Sequence, residues 1–172
     1  MRITRRLLLS GGTLSAAVAA VGGWRLLAGP VAARTTPQQP ETFEVTMSDA
    51  EWRKKLTPAQ YNVLRQEGTE RPFSSPLNDE HRKGMFACAG CQLDLFSSNT
   101  KFDSGTGWPS FWAPLASAVG TTQDASFGMT RTAVHCHRCG GHLGHVFDDG
   151  PKPTGLRYCM NGVAMTFRPA SA

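Results

Sequence analysis

Short runs of hydrophobic residues follow one another from Gly68 to the end of the chain, separated by polar and turn-forming residues. Runs such as 84–87 and 156–159 have the length of β-strands, and the Gly, Pro, Asn and Asp residues between such runs favour turns. No long stretch repeats hydrophobic residues at helical spacing. The pattern predicts a mainly β domain without internal repeats.

Two short helices are predicted ahead of this β region. The segments that begin at Ser48 and Thr57 both match a capping box, in which two side chains three residues apart satisfy free backbone N–H groups. Pro58 occupies the first helical position of the second segment, where proline is favoured. We therefore expect helices at 49–55 and 58–66.

The net charge of +5 is unevenly distributed. The first 34 residues contain no acidic residue and carry five basic ones, which are Arg2, Arg5, Arg6, Arg25 and Arg34. Residues 35–172 hold 13 basic and 13 acidic side chains. Because a general nucleic-acid-binding domain needs an excess of positive charge to contact phosphates, we expect no nucleic acid as a partner.

The basic N-terminal segment resembles a twin-arginine export signal. Arg5 and Arg6 stand directly before a weakly hydrophobic run, rich in Gly, Ala and Ser, that reaches about Trp24. Small residues before Arg34 favour cleavage, which predicts a signal peptide at 1–33, passage through the twin-arginine translocon and a periplasmic location. An uncleaved leader would instead anchor the protein to the membrane. The rest of the chain divides into a flexible linker, one domain and a short tail, at 34–45, 46–169 and 170–172.

Four of the five cysteines form two C-x-x-C pairs, each a tight turn that directs two sulfurs to one point. The pairs are Cys88 with Cys91 and Cys136 with Cys139. Four thiolates favour zinc and leave no position for water, so we expect one structural Zn²⁺. Two disulfides are an alternative, although loops this short stabilise a fold little. His135 and His137, which flank the second pair, are alternative ligands.

The fifth cysteine, Cys159, is the candidate for chemistry. It lies in a segment that alternates like a strand and would place Arg157, Cys159 and Asn161 on one face. A cation two residues away favours the thiolate, the form in which cysteine is a nucleophile. A single cysteine on a strand is more often a core residue, so this segment alone does not show whether Cys159 is a nucleophile.

Beyond the cysteine pairs, the chain carries a series of distinctive motifs. These motifs are Gly68–Phe73, Gly107–Phe111, His142–Phe147 and Arg157–Asn161, and the two C-x-x-C pairs lie between them in the chain. This series resembles the signature of the B-type methionine-R-sulfoxide reductases and covers 46–169. The resemblance implies two antiparallel sheets in a β-tent-like arrangement with a structural zinc, and reduction of methionine-R-sulfoxide in peptides and proteins.

The resemblance also implies a mechanism. The Cys159 thiolate would attack the sulfoxide sulfur, the oxygen would be protonated, and Cys159 would remain as a sulfenic acid. His145 and His142 would supply or position the proton, and Asp149 would support them. Since Gly144 and its neighbouring glycines argue against a helix, we expect the two histidines to meet on a loop.

Other residues would shape the site around the nucleophile. By the same resemblance, Arg157 and Asn161 would orient the polar groups around Cys159. An indole face can pack against the methyl group and sulfur of the substrate, which makes Trp108 the expected binding residue, with Phe111 and Phe147 as helpers.

One position departs from the family pattern. Many members carry a second, resolving cysteine where this chain has Thr106. With four cysteines on the metal, no thiol remains to form a disulfide with Cys159, so a thioredoxin-like protein or a small thiol should reduce the sulfenic acid. Recruitment of a metal cysteine is the alternative. We expect a monomer.

Two other classes of function are alternatives. An inactive, zinc-stabilised module that binds protein or peptide would have the same fold and an inert Cys159. A cysteine-dependent hydrolase would need an oriented base and an oxyanion hole, and the sequence shows no sign of either.

Overall fold

The computed structural model describes residues 42–171, which belong to one compact unit. The predicted signal peptide at 1–33 and most of the predicted linker at 34–45 lie outside the described residues. The end of that linker contacts the domain, because the Val45 N–H donates to the Arg138 carbonyl at 3.0 Å. Within 42–171, no helix has the length and apolarity that a membrane span requires.

The two predicted helices are confirmed at both ends. Helix α1 covers Asp49–Lys55 and helix α2 covers Pro58–Gln66. Both capping boxes are formed, since the Ser48 and Thr57 hydroxyls accept from the backbone N–H three residues later. Their buried side chains join the core, and they are Trp52, Tyr61, Val63 and Leu64.

The rest of the described chain is mainly β, as predicted, and forms two antiparallel sheets. The strands are β1 Gly84–Cys88, β2 Asp94–Ser97, β3 Lys101–Phe102, β4 Ser110–Phe111, β5 Val119–Asp124, β6 Arg131–Cys136, β7 His142–Phe147, β8 Arg157–Met160 and β9 Met165–Pro169. The small sheet has the order β2-β1-β9, and the large sheet has the order β3-β4-β8-β7-β6-β5. Short 3-10 helices occupy Pro76–Asp79, Ser98–Thr100, Ser126–Gly128 and Gly162–Ala164.

An aromatic cluster joins the two sheets. Phe111 of β4 stacks on Phe96 of β2 with ring centroids 4.4 Å apart and meets Phe86 of β1 edge-on at 4.9 Å. All three side chains are fully buried. The hydrophobic core therefore lies between the sheets and fixes the position of β4 in the large sheet.

Strand β8 lies near the middle of the large sheet, between β4 and β7. Cys159 is directly opposite Ser110 on one side and His145 on the other. Since directly opposed residues on one face have Cβ atoms about 4.5–5.5 Å apart, the register brings a hydroxyl and an imidazole beside the sulfur.

Candidate functional site

The four C-x-x-C cysteines converge at one point, where β1 and β6 end. Their Sγ atoms all lie within 4.8 Å of one another. The sulfurs of Cys88 and Cys139 are 3.7 Å apart and those of Cys91 and Cys136 are 3.4 Å apart. Sulfurs about 2.3 Å from a tetrahedral metal ion would be about 3.8 Å apart, so the cluster fits a metal site. Because β1 and β6 belong to different sheets, such a site links the two sheets.

Cys159 lines a separate small pocket of about 140 Å³. Trp108, His145, Phe147 and Asn161 line the same pocket, so the structure brings together most of the predicted site residues. Cys159 is partly buried rather than enclosed in the core. The sulfur is therefore open to a small substrate group.

Burial raises the pKa of the Cys159 thiol above its ordinary value of 9.0. Hydrogen bonds from Thr106 and the positive charge of Arg157 oppose that shift, with a smaller contribution from Ser110. The expectation that Arg157 favours the thiolate is right in direction, but desolvation outweighs it. The resting side chain is therefore mainly a thiol at neutral pH.

A chain of hydroxyl groups ends at the Cys159 sulfur. The Thr106 Oγ1 is 3.9 Å from the Cys159 Sγ, and the Ser104 Oγ is 2.8 Å from Thr106 Oγ1 and 2.7 Å from Ser110 Oγ. Hydroxyl groups can both donate and accept, so this chain can accept from a thiol or donate to a thiolate. It accommodates both protonation states of the nucleophile.

The two histidines meet on a strand, so the predicted loop is wrong. Three residues apart on a regular strand, His142 and His145 would point to opposite faces. The pairing of β7 with β6 shifts between Gly144 and His142, which leaves Leu143 as an extra residue. This bulge restores both histidines to one face, with ring centroids 5.4 Å apart.

The carboxylate that supports the histidine pair is Asp124, at the end of β5. Its Oδ2 accepts from His145 Nε2 at 2.8 Å and from the Arg131 guanidinium at 2.6 Å. Hydrogen bonds from Ser126, His145 and Arg131 hold the pKa of Asp124 well below its usual range. An ionised carboxylate only accepts, so Nε2 carries a proton and the Nδ1 of His145 remains for other partners.

His142 is the more buried member of the pair. Burial is the main cause that lowers its pKa from the ordinary value of 6.5 to about 4, and the neighbouring His145 adds to the effect. His142 is therefore neutral at physiological pH. It can position His145, but it is a poor proton donor.

The predicted support of the histidines by Asp149 is not found. Asp149 instead forms two hydrogen bonds of 2.8 Å with the guanidinium of Arg157. The Arg157 guanidinium carbon also lies 4.5 Å from the centre of the Phe147 ring, in a cation–π contact. Asp149 thus holds Arg157 and, through it, one wall of the pocket.

Hydrogen bonds through the Glu70 backbone fix the position of Trp108. Its indole N–H donates to the Glu70 carbonyl at 3.2 Å, while the Glu70 N–H donates to Asn161 Oδ1 at 2.9 Å. The Asn161 amide in turn donates to the Leu143 carbonyl at 3.0 Å. Both polar ends of Asn161 are used by the backbone, so it fixes the pocket wall rather than orienting groups on Cys159.

Phe111 is the other predicted site residue that the structure places elsewhere. It is fully buried and packs against Phe96 and Phe86 in the core. Neighbouring residues of a strand point to opposite faces, so when Ser110 faces Cys159, Phe111 must face the core. Phe147, by contrast, does line the pocket.

Sequence reasoning did not identify Asp124, Arg131 or the Glu70 backbone as parts of the site. Asp124 and Arg131 are directly opposite each other on β5 and β6, and Ala133 of β6 is opposite His145. Only the pairing of three strands brings them to the histidine. The only available signal was an acidic residue at a strand end close to an arginine, which is a weak one.

A thiol that shares a pocket with an indole and a histidine–carboxylate pair, apart from four further thiols that could hold a metal ion, is the arrangement of a cysteine-dependent enzyme. The model of the SelR domain matches residues 56–169, and the chain belongs to this family.

Curated relatives agree with this assignment. Peptide methionine sulfoxide reductase MsrB of Agrobacterium fabrum is 55% identical over 127 residues, covering 73% of this chain and 94% of that protein. The proteins of the same name from Methanosarcina barkeri and Pseudomonas putida W619 are 57% and 59% identical. These alignments cover 72% and 69% of this chain, and 88% and 90% of the two relatives.

Proposed function

We propose that the protein reduces the R epimer of methionine sulfoxide in peptides and proteins to methionine. The observation that carries the proposal is the position of Cys159, opposite His145 in the sheet and in one pocket with Trp108. The names of the relatives indicate the same reaction. The choice of the R epimer rests on the family.

The first step moves one proton within the pocket. Cys159 rests as a thiol, and His145 is the base directly opposite it in the sheet. Transfer of the thiol proton to His145 produces a thiolate and an imidazolium, and the Asp124 carboxylate stabilises the imidazolium. No proton from solvent is needed.

The second step transfers oxygen. The Cys159 thiolate attacks the sulfoxide sulfur and forms a sulfur–sulfur bond, while the imidazolium returns its proton to the oxygen. The hydroxyl group then moves to the Cys159 sulfur as the sulfur–sulfur bond breaks, and the electron pair of that bond stays on methionine. The products are methionine and a Cys159 sulfenic acid, so the substrate is reduced by two electrons and the cysteine is oxidised by two. The methyl group and sulfur of the substrate would pack against the Trp108 indole.

The third step restores the thiol. Thr106, which stands 3.9 Å from the Cys159 sulfur, cannot form a disulfide. An outside thiol therefore attacks the sulfenic acid and releases water, and a second thiol reduces the mixed disulfide. A thioredoxin-like protein or a small thiol supplies these electrons.

The four-cysteine cluster is proposed to hold one structural zinc ion. Four thiolates in tetrahedral arrangement suit zinc and leave no coordination position for substrate. The ion would link the two sheets and take no part in the reaction.

The N-terminal segment is proposed to direct export through the twin-arginine translocon to the periplasm, and the mature protein is proposed to be monomeric. The paired Arg5 and Arg6 support this route. A thiolate zinc site is best loaded in the reducing cytosol, and this route carries folded proteins, so the two features are compatible.

The activity is tested with N-acetyl-methionine sulfoxide amide prepared as separate R and S epimers, with dithiothreitol as reductant. We expect turnover of the R epimer alone and none by Cys159→Ser. Equal use of both epimers, or retained activity in the variant, would overturn the assignment. Binding of the R epimer without turnover by the wild type would indicate the inactive binding module.

The regeneration step is tested by intact mass. Enzyme treated with one equivalent of substrate and no reductant should gain the mass of one oxygen and keep its metal, because a single free thiol cannot close a disulfide. A loss of two hydrogens together with release of metal would show instead that a metal cysteine resolves Cys159.

A further inference from the structure

Phe73 is the most exposed large hydrophobic side chain among the described residues. It retains 71% of its accessible surface, although aromatic residues are usually buried. Its backbone is also unusual, with φ at 61°, a region that bulky residues rarely adopt. Because strained backbone conformations cluster at functional sites, the exposed Phe73 ring is a candidate for a functional role.

The loop that carries Phe73 is firmly held. The Phe73 N–H donates to the Gly107 carbonyl at 2.7 Å, and the Ser74 hydroxyl donates to the Arg71 carbonyl at 2.6 Å. Just before it, the Glu70 carboxylate accepts from the backbone N–H groups of Gly162 and Val163. The ring is therefore exposed on a fixed loop, not on a mobile one.

The same loop borders the catalytic pocket. The Phe73 ring packs so closely on Gly107 that a Cβ there would come within 2.8 Å of it. Gly107 directly precedes Trp108, and Thr69 at the start of the loop lines the pocket. The ring therefore lies against the residue that directly precedes Trp108 in the chain.

The pocket itself is too small for more than a side chain. Its volume of about 140 Å³ is below the roughly 300–1,000 Å³ of typical ligand pockets. When a methionine sulfoxide side chain enters it, the residues on either side of that methionine must lie on the rim. Phe73 is an exposed aromatic surface beside Gly107, the neighbour of Trp108 in the chain.

We propose that Phe73 is a docking surface for the polypeptide that flanks the oxidised methionine, and that it favours substrates with an apolar residue one or two positions away. This inference rests on the proposed reduction of methionine sulfoxide. An aromatic side chain of this kind supplies much contact area at low entropic cost, which is why such residues are frequent hot spots in recognition.

The test compares three substrates, each containing methionine-R-sulfoxide: a pentapeptide with leucine on both sides, the same peptide with glycine on both sides, and N-acetyl-methionine sulfoxide amide. Phe73→Gly removes the ring and adopts a positive φ without strain, so the loop should keep its shape. We expect KM for the leucine peptide to rise about tenfold with kcat unchanged, as for a hot-spot contact. The amide should be affected less than twofold, and Phe73→Tyr should restore peptide binding.

Met85→Ala is the matched control, because Met85 is also exposed but lies on β1 of the small sheet. It should behave like the wild type on all three substrates. Equal loss of the amide and peptide activities in Phe73→Gly, or unchanged KM for the leucine peptide, would overturn the proposal. So would a change confined to the KM of a thioredoxin-like reductant, which would assign the surface to that partner. Failure of the wild type on the amide would instead refute the proposed reaction itself.

Discussion

Replacing Asp124 with asparagine tests the assignment of the proton path most directly. Asp124 Oδ1 accepts from the Ser126 N–H at 2.8 Å, and Oδ2 accepts from Arg131 and His145 at 2.6 and 2.8 Å. Asparagine offers one oxygen for these three donors. Its oxygen can still face Arg131 and His145, but the amide then meets the Ser126 N–H and the negative charge is lost.

The expected effect is on chemistry rather than on binding. Without the carboxylate, the His145 imidazolium that is proposed to carry the proton from Cys159 to the substrate oxygen would lose its stabilising charge. Since a positioned general acid contributes about 10²–10⁴-fold, we expect the single-turnover rate to fall by about 100-fold, with substrate affinity changed less than threefold. Rapid-quench measurement of methionine formed by excess enzyme isolates this step from the reductant.

Asp149→Asn is the matched control, because it removes a carboxylate that contacts Arg157 instead of His145. The Asp149 side chain is 60% exposed, and exposed ion pairs contribute little, so its rate should fall by less than about fivefold. In a His145→Ala background, Asp124→Asn should add little, because it acts through that histidine. A loss of similar size in both asparagine variants, or an additive double variant, would refute the proposed proton path.

Three further outcomes are expected. Cys88→Ser should lose bound metal and lower the melting temperature by about 10 °C or more, while Cys159 still reacts with iodoacetamide; an unchanged melting temperature measured by calorimetry would contradict a structural metal. Thr106→Val should raise the pKa of Cys159 further by removing a hydrogen bond to the sulfur, which would slow alkylation at pH 7.5; an unchanged pH profile of alkylation would exclude that role. His142 has a folded pKa of about 4 against an ordinary 6.5, so the unfolded chain binds the extra proton first and stability falls as pH drops through this window. Between pH 7 and pH 5, the free energy of unfolding measured with urea should fall by about 2 kcal/mol more in the wild type than in His142→Gln. Equal decreases in the two proteins would contradict a buried neutral His142.

The parts of the structure that the sequence predicts well are those set by neighbouring residues. The bounds of α1 and α2 follow from capping boxes that each span four residues, and both boxes are formed as expected. The convergence of the four C-x-x-C cysteines likewise starts from two local turns. In these places local chemistry leaves the chain few alternatives.

The parts that the sequence does not predict depend on strand pairing. The histidines share a face only because Leu143 is an extra residue in β7, and no local pattern marks that bulge. Asp124 reaches His145 across β6, whereas Asp149, closer in sequence, turns to Arg157. Phe111 illustrates the same limit, since alternation separates the two faces of a strand without stating which of them is the core.

The size of the pocket also determines the order of the reaction. A space of about 140 Å³ beside Cys159 accommodates one methionine side chain, so the reductant cannot approach the sulfur until methionine has left. Thr106, whose hydroxyl lies 3.9 Å from that sulfur, has no thiol with which to resolve a sulfenic acid, so the oxidised enzyme persists between the two events. Methionine sulfoxide and the reducing thiol therefore use the same pocket in turn. The first oxidises Cys159, and the second reduces it again. This arrangement predicts ping-pong kinetics. Double-reciprocal plots of rate against methionine sulfoxide concentration, measured at several concentrations of the thiol, should be parallel lines.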